Sequence, residues 1–287
     1  MTVFVLGGTG ALGRLLVPLL REAGHQVTAT TRSPARVETI AGLGAEPAVV
    51  DGLDPGALAD VVRGTRPDVV VCQVTSLSGD FSRLDELAAG NARVRLAATV
   101  NATSAAEAAG ARRVVAQGVA FSYAPGVGPA AEDEPFREDD SARAALAADE
   151  AVLGSELEGV VARYGYLYGP GTWYSRGGAA AEALHAGTLR APARGEESLV
   201  HVEDAARATV GLVEEGRPGA YNVVDDEPAP RREWLSALAA AVGAPPPPES
   251  DPPAPPRRGA SNRKLAAEIG WRPRFASWRD GFREGLS

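Results

Sequence analysis

The stretch Gly7-Gly8-Thr9-Gly10-Ala11-Leu12-Gly13 (GGTGALG) decides the fold of this chain. It follows a short apolar run, TVFVL at 2–6, and precedes an amphipathic stretch, LGRLLVPLLREAG, that ends at Gly24. This order predicts a strand, a tight glycine turn and a helix. Glycines at this spacing let backbone N–H groups approach a pyrophosphate at the positive end of the helix. The stretch therefore predicts a dinucleotide site at the first strand-to-helix turn.

Further apolar segments follow along the chain, separated by helical patterns. They are HQVTATTR (25–32), EPAVVDG (46–52), PDVVVCQVT (67–75), RRVVAQGV (112–119) and GVVARYGYLYG (159–169). Strands that alternate with helices predict a parallel, doubly wound α/β sheet of the Rossmann type, with both faces covered.

Composition limits the partners. With 287 residues, a net charge of -8 and a pI near 5.1, the chain has no basic surface for nucleic acid or anionic lipid, so we expect a small-molecule ligand. The absence of a signal-peptide pattern and of a long apolar run favours a cytoplasmic protein. Cys72 is the single cysteine and the three histidines lack ligand spacing, which argues against a metal site; we expect Cys72 to be a buried strand residue.

The residues after the second and third strands address the choice of cofactor. An acid at the end of strand two would bind the ribose of NAD, but this chain has Arg32 there, with Arg36 close behind. An arginine can pair with the 2′-phosphate of NADP, so the sequence favours NADP. Asp51-Gly52-Leu53 is placed to meet the adenine, although an Asp-Gly pair is equally a turn signal. Val74 and Thr75, at the carboxyl end of strand four, are further candidates for cofactor contact.

Taken together, several motifs resemble the extended short-chain dehydrogenase/reductase family across nearly the whole chain. They are GGTGALG, DGLD (51–54), RYGYLYGPGTWY (163–174), LVHVEDAA (199–206), AYNVVDDEP (220–228) and SNRKLAAEIGWRPRF (261–275). The resemblance implies an NADP-binding Rossmann domain at 1–165, its sheet completed by strands near 199–224. It also implies a substrate-binding lobe formed by 166–198 and 225–287, with the active site between the two.

The same resemblance implies a catalytic Ser or Thr after strand five and a Tyr-x-x-x-Lys pair on the next helix. Here Gly118 takes the first position, and the pair falls near Ala142 and Leu146 in SARAALAADEAVL (141–153). No tyrosine occurs between 124 and 163, and the single lysine is Lys264. A neighbouring lysine lets tyrosine exchange a proton near neutral pH, so the chain is expected to lack the family's usual proton donor.

Other polar and aromatic groups are candidates for the site. Gln117, Ser122 and Tyr123 lie at the end of strand five, where they could orient a carbonyl or could be a strand end satisfied by backbone. The resemblance implies that Tyr164, Gly165 and Tyr166 contact the nicotinamide end. Tyr168, Trp173 and Tyr174 form an aromatic set that could be core or could stack on a flat substrate. The resemblance also implies that His201 and Asp204 brace the lobe.

These observations favour an NADPH-dependent ketoreductase for a planar or aromatic, polyketide-type molecule. The chain is similar in its logic to atypical members of the family, such as the angucyclinone ketoreductases of antibiotic biosynthesis, which also lack the pair. The proton would come from water or from the substrate. A nucleotide-sugar epimerase or dehydratase is an alternative but needs a base, and a non-catalytic NADP sensor is another. The resemblance further implies a homodimer through helices near 83–110 and 141–156.

Overall fold

The computed structural model describes residues 1–76, 84–191, 195–249 and 257–287, with the backbone alone at 84–89. The strands are β1 (Thr2–Leu6), β2 (Gln26–Thr31), β3 (Glu46–Val49), β4 (Val69–Cys72), β5 (Arg113–Val119), β6 (Glu158–Tyr164), β7 (Tyr166–Tyr168), β8 (Glu196–Glu197), β9 (Leu199–His201), β10 (Gly219–Val223) and β11 (Ala229–Pro230). Seven of them form one parallel sheet in the order β10-β6-β5-β4-β1-β2-β3. The α/β doubly wound prediction is confirmed.

Helices cover both faces of this sheet. They are α1 (Gly13–Glu22), α2 (Val37–Gly42), α3 (Pro55–Thr65), α4 (Leu84–Ala108), α5 (Asp140–Leu153), α6 (Ala179–His185), α7 (Val202–Glu214), α8 (Arg231–Val242), α9 (Arg263–Ile269) and α10 (Trp278–Glu284). Helices α1 and α7 pack together on one face, and α3, α4 and α5 pack in series on the other. Because neither face meets water, the central strands are mostly apolar, and the polar side chains on β5 and β6 are buried with partners.

Side chains of the central strands alternate between two cores. Val115 of β5 lies in the core under α1 and α7, whereas Val114 and Ala116 lie in the core under α3 to α5. Cys72 of β4 is buried in the second core, as the sequence predicts. Burial raises the pKa of its thiol to about 11, which keeps the sulfur protonated and unreactive at neutral pH.

The predicted strand at 159–169 is wrong as a single element. The chain leaves the main sheet after Tyr164, and β7 pairs instead with β9 in a separate two-stranded sheet. Gly165 makes the break: a Cβ there would lie 2.6 Å from the Ser198 carbonyl oxygen. The strand near 199 therefore does not complete the main sheet, and β10 alone does so from the 199–224 region. The division of the chain into a cofactor domain and a substrate lobe stays a prediction.

A third core of aromatic and small residues lies beyond this break. It is formed by β7, β9, α6, α8 and α10 and contains Tyr168, Trp234, Trp278 and Phe282 among its buried side chains. None of the described helices is both long enough and apolar enough to cross a membrane.

His201 and Asp204 tie the carboxyl-terminal segment to α7. The Nδ1 atom of His201 accepts a hydrogen bond from the Glu203 N–H at 3.3 Å, and its Nε2 lies 2.8 Å from the Gly285 carbonyl oxygen. Since a carbonyl can only accept, the geometry requires a neutral imidazole with its proton on Nε2. The Asp204 carboxylate accepts from the backbone N–H groups of Arg274 and Phe275. Both side chains have structural roles.

Candidate functional site

The glycine turn has the shape and the donors of an anion site. Gly7 has a φ of +89°, which side-chain-bearing residues rarely adopt, and a Cβ on Gly13 would lie 2.2 Å from the Gly7 carbonyl oxygen. The N–H groups of Ala11 and Leu12, just before α1, bond to no group in the described parts of the chain. Free donors at the positive end of a helix fit a pyrophosphate.

The carboxyl end of β2 carries positive charge. Arg32 and Arg36 follow this strand, and neither forms an ion pair or a side-chain hydrogen bond with residues that the structure describes. No carboxylate occurs between 32 and 36. The two guanidinium groups therefore keep their donors available for an anion beside the adenosine end of the site.

The segment after β3 is a tight turn. Asp51 Oδ1 accepts the N–H of Leu53 at 3.0 Å, and the Gly52 carbonyl oxygen accepts from Asn101 Nδ2 at the same distance. A Cβ on Gly52 would come within 3.2 Å of Leu6, so this turn lies against the end of β1. The turn that the Asp-Gly pair signals is observed, and contact with adenine stays a prediction.

Two glutamines fix the ends of β4, β5 and β6, where the nicotinamide end would lie. Gln117 Nε2 donates to the Val74 carbonyl oxygen at 3.0 Å, so its amide is already engaged and is not free to bind a substrate carbonyl with that proton. Gln73 Nε2 donates to Tyr164 Oη at 3.1 Å, and that hydroxyl lies 2.6 Å from Thr209 Oγ1. The Tyr164 side chain therefore packs on α7. The backbone of Tyr164 and the half-buried Tyr166 lie nearer the carboxyl ends of the strands.

Helix α5 turns mainly alanines toward the protein interior. Ala142, Ala145, Ala148 and Asp149 face inward, whereas Leu146 is 39% exposed. Because inward positions recur at three or four residues, Ala145 and not Leu146 takes the inward place one turn after Ala142. The Leu146 side chain therefore lies on the outer face of α5, and which positions correspond to the pair stays a prediction. No tyrosine or lysine occurs anywhere on this helix.

A buried network of one ion pair and several hydrogen bonds lies between α5 and the sheet. Arg163 Nε, on β6, donates to Asp149 Oδ2 at 2.7 Å, with both side chains almost fully buried. Arg163 Nη1 donates to Tyr123 Oη at 2.8 Å, and Tyr123 donates to Asn222 Oδ1 at 2.7 Å. A Cβ on Gly118 would lie within 3.0 Å of Asp149 and Arg163. The network occupies the space that a serine at 118 would need.

Tyr123 and Tyr168 lie in the protein interior and not at a pocket surface, so the structure favours the core alternative that the sequence left open for Tyr168. Tyr123 is fully buried against Phe136, and burial raises the pKa of its hydroxyl to about 12 although Arg163 opposes the rise. Tyr168 is fully buried and packs edge-on against Phe282 and His201. Ser122 is 2% exposed. Their chain positions were compatible with a strand-end site, but their side chains turn into the protein.

An aromatic cluster near the strand ends, partly buried at Phe121 and Tyr166 and buried at Tyr174 and Trp234, is built largely from other residues. Phe121 stacks on Tyr166 with ring centroids 4.7 Å apart, and Tyr174 and Trp234 pack around the same ring. Phe121 and Trp234 had no signal in the sequence, because neither belongs to a recognised motif. Trp173, the remaining candidate, is partly buried beside this group.

The loop that carries Trp173 and Tyr174 lies next to the glycine turn. A Cβ on Gly171 would be 3.9 Å from that of Ala11. The loop and the anion cradle therefore lie together at the carboxyl edge of the sheet, where doubly wound folds bind ligands in a cleft.

The fold, the glycine cradle and the cleft define a dinucleotide-binding protein of the Rossmann class. A family model described as NAD(P)H-binding matches residues 7–215, and the chain belongs to this family.

Two relatives are named reductases. The chain is 40% identical to a 3-diazoavenalumate denitrifying reductase of a Streptomyces species, over 98% of this chain and 99% of that protein. It is 30% identical to a 2-alkyl-3-oxoalkanoate reductase of Stenotrophomonas maltophilia, over 85% of this chain and 76% of that protein. The chain is an NAD(P)H-dependent oxidoreductase.

Solved structures give the same fold. UDP-glucose 4-epimerase of Thermus thermophilus in complex with NAD matches with a TM-score of 0.78 and 27% identity, over 100% of this chain and 98% of that one. The dTDP-glucose 4,6-dehydratase DesIV of Streptomyces venezuelae, with NAD and TYD bound, matches with a TM-score of 0.82 and 21% identity, over 100% and 96%. The second likeness is one of fold alone.

Replacing Tyr123 with phenylalanine keeps the buried ring and removes the hydroxyl that bonds Arg163 and Asn222. We expect the free energy of unfolding to fall by about 1–3 kcal/mol, because buried partners lose a hydrogen bond. Denaturant unfolding measures this change, and calorimetry should find NADPH affinity unaltered. Full stability combined with lost turnover would instead give the hydroxyl a direct part in the chemistry.

Proposed function

We propose that the chain is an NADPH-dependent reductase that transfers hydride to a planar, aromatic small molecule without a side-chain proton donor. The observation that carries the proposal is the buried network of Asp149, Arg163 and Tyr123. It fills the space against Gly118 and α5 in which the resemblance would have an acid/base pair. Hydride transfer needs a reduced nicotinamide held against an electrophilic carbon, and it needs no protein base.

Several residues would hold the cofactor. The backbone of the cradle would bind the pyrophosphate, and Arg32 with Arg36 would bind a 2′-phosphate, which favours NADP over NAD. The full set proposed for cofactor contact is Gly7, Thr9, Gly10, Ala11, Leu12, Gly13, Arg32, Arg36, Asp51, Gly52, Leu53, Val74, Thr75, Gln117, Tyr164, Gly165 and Tyr166. When bound, the reduced nicotinamide supplies the hydride.

The favoured reaction is the reductive removal of nitrogen from an aromatic diazonium group. The 40% identical relative is named for denitrifying a diazo compound, and the likeness covers nearly its whole length. In such a step the aromatic carbon gains a hydride, its C–N bond breaks with both electrons leaving on nitrogen, and N₂ departs. Charge and atoms balance without any proton. A reaction of this kind has no use for a tyrosine and lysine pair.

Reduction of a ketone is the second candidate, supported by the 30% identical oxoalkanoate reductase. A ketone becomes an alkoxide, which must take up a proton. Tyr123 is buried and Gln117 is bonded to Val74, so neither would supply it. The proton would come from water or from a hydroxyl on the substrate itself. Epimerisation of a nucleotide sugar is less favoured, because it begins with the removal of a proton.

A homodimer is the proposed assembly, with α4 and α5 forming the interface. Val100 on α4 and Leu146 and Leu153 on α5 are exposed to 40%, 39% and 42%. Leu146 and Leu153 are two helical turns apart, so they share one face of α5. An apolar face of this kind suits contact with a second copy of the same chain.

Isotope transfer tests the reaction. NADPH with deuterium at both C4 positions, mixed with 4-carboxybenzenediazonium and the protein, should give benzoate with one deuterium at the former C–N carbon. Unlabelled NADPH in D₂O should place none there, because the step takes no solvent proton. The ketone 2′-hydroxyacetophenone is the substrate for comparison. Its reduction would give an alcohol with deuterium on the former carbonyl carbon. If neither compound oxidises NADPH faster than a protein-free control, the proposal of a planar aromatic substrate is wrong.

Replacing Arg32 with alanine tests the cofactor choice. Loss of a charge-assisted hydrogen bond should weaken NADPH binding by about 1.5–3 kcal/mol and leave NADH binding nearly unchanged. Calorimetry on both nucleotides measures the difference. Arg63→Ala, which removes an exposed arginine on α3, serves as the charge control. An equal loss for both nucleotides, or none, would contradict the assignment to NADP.

Replacing Leu146 with glutamate tests the dimer. A charge buried at the interface should convert the wild-type dimer, near twice 29.6 kDa, into a monomer in light scattering. Val127→Glu is the control, since Val127 is 98% exposed in a loop and should leave the dimer intact. A wild-type monomer, or a Leu146→Glu variant that stays dimeric, would remove this interface from consideration.

A further inference from the structure

Three charged side chains, all from the carboxyl-terminal half of the chain, meet beside Tyr166. Arg231 Nε, at the start of α8, lies 2.8 Å from Glu197 Oε2, and Arg257 Nε lies 3.3 Å from Glu197 Oε1. Trp234 Nε1 donates to the same Oε2 atom at 3.2 Å. Glu197 is 1% exposed. One buried carboxylate therefore serves two guanidinium groups.

Among the residues that the structure describes, the cluster holds two guanidinium groups and one carboxylate, an excess of one positive charge. Within the described parts of the chain, the charged side chains that act on the hydroxyls of Tyr166 and Tyr174 are these two arginines and this one glutamate. Burial disfavours the charge on Arg231, but the Glu197 carboxylate outweighs it, and the pKa of Arg231 is raised. Guanidinium groups stay charged at physiological pH, and a partly buried excess of one cation is costly unless an anion completes it.

The unused donors remain open to a ligand. The side chain of Arg257 is 30% exposed and that of Arg231 is 17% exposed, whereas the carboxylate between them is sealed. Arg257 Nη1 donates to Tyr166 Oη at 2.8 Å, and its Nη2 has no partner in the described ranges. Neither Nη atom of Arg231 bonds to a described residue. Paired Nη donors match the geometry of a carboxylate.

An aromatic surface lies directly against these donors. Phe121 stacks on Tyr166, and the Arg231 guanidinium lies 5.1 Å from the centre of that ring. Tyr166 follows Gly165 at the end of β6, beside the region proposed for the nicotinamide. A flat ring packed on this surface would hold a carboxylate substituent within reach of Arg231 and Arg257. Ring stacking and a charged anchor together would fix which carbon receives the hydride.

We propose that Arg231 and Arg257 bind the carboxylate of the aromatic substrate, so that the enzyme acts on planar aromatic acids. The inference rests on the proposed reductase function and adds the charge and the orientation of its substrate. A single carboxylate balances the one surplus cation, whereas a diphosphate would bring more charge than the cluster can neutralise. Glu197 is the buried counter-charge that lies between the two arginines.

Binding of inert aromatic acids tests the subsite without any turnover. Benzoate, cinnamate and 4-hydroxycinnamate are titrated calorimetrically into NADP-loaded protein, each beside its carboxamide. At least one acid should bind about 10-fold or more tightly than its amide, and Arg257→Gln should remove most of that preference while leaving amide affinity and NADP affinity unchanged. Arg257 is the residue replaced, because Glu197 still pairs with Arg231 and Trp234 after the Arg257 guanidinium is removed.

Arg232→Gln is the matched control. Arg232 is the neighbour of Arg231 on α8, is 61% exposed and pairs with Glu249, so its loss removes the same charge at a distance from the cleft. It should leave the preference for acids intact. The inference is overturned if no acid binds more tightly than its amide, if Arg257→Gln keeps the preference, or if Arg232→Gln abolishes it equally. Turnover in the isotope experiment is independent of these results, so the two proposals can fail separately.

Discussion

The contact between the first residue of α1 and the end of β1 determines where everything else in the site must lie. The backbone of Gly13 approaches the Gly7 carbonyl so closely that no Cβ could fit between them. This contact aims the helix axis and its free N–H groups at the carboxyl edge of the sheet. Strand order then separates the two ends of any dinucleotide, with β2 and β3 on one side and β4, β5 and β6 on the other.

Near β5 and β6, the buried polar groups form ion pairs and hydrogen bonds that stabilise the fold. Breaking a buried ion pair such as Arg163 with Asp149 typically costs about 3–5 kcal/mol, because the remaining charge has no partner. A group committed in this way cannot also gain and lose a proton during turnover. The network is thus consistent with chemistry in which the cofactor's hydride is the only hydrogen that must be delivered.

Much of the fold and the glycine cradle could be predicted from the sequence, because hydrophobic periodicity and glycine spacing are local signals. The break at Gly165 could not, since the apolar run continues across it and β9 lies some thirty residues later. The alanine-rich α5 gives little contrast between its faces, so the sequence does not show which face meets the sheet. Tyr123 turns inward because Arg163 donates to it and Asn222 accepts from it, and these partners come from distant segments. The cluster around Glu197 gave no signal for the same reason.

The glycine between β6 and β7 has a consequence for building chimeras. One residue separates a strand of the main sheet from a strand whose pairing partner is β9, so the segment after β6 cannot be exchanged as one continuous block. Exchanging β7 with that of another reductase would require the donor's β9 as well, and the crossover would have to retain Gly165, because the Ser198 carbonyl leaves no room for a side chain. Recombination across such proteins should therefore favour parents that match in both segments, whatever their similarity elsewhere.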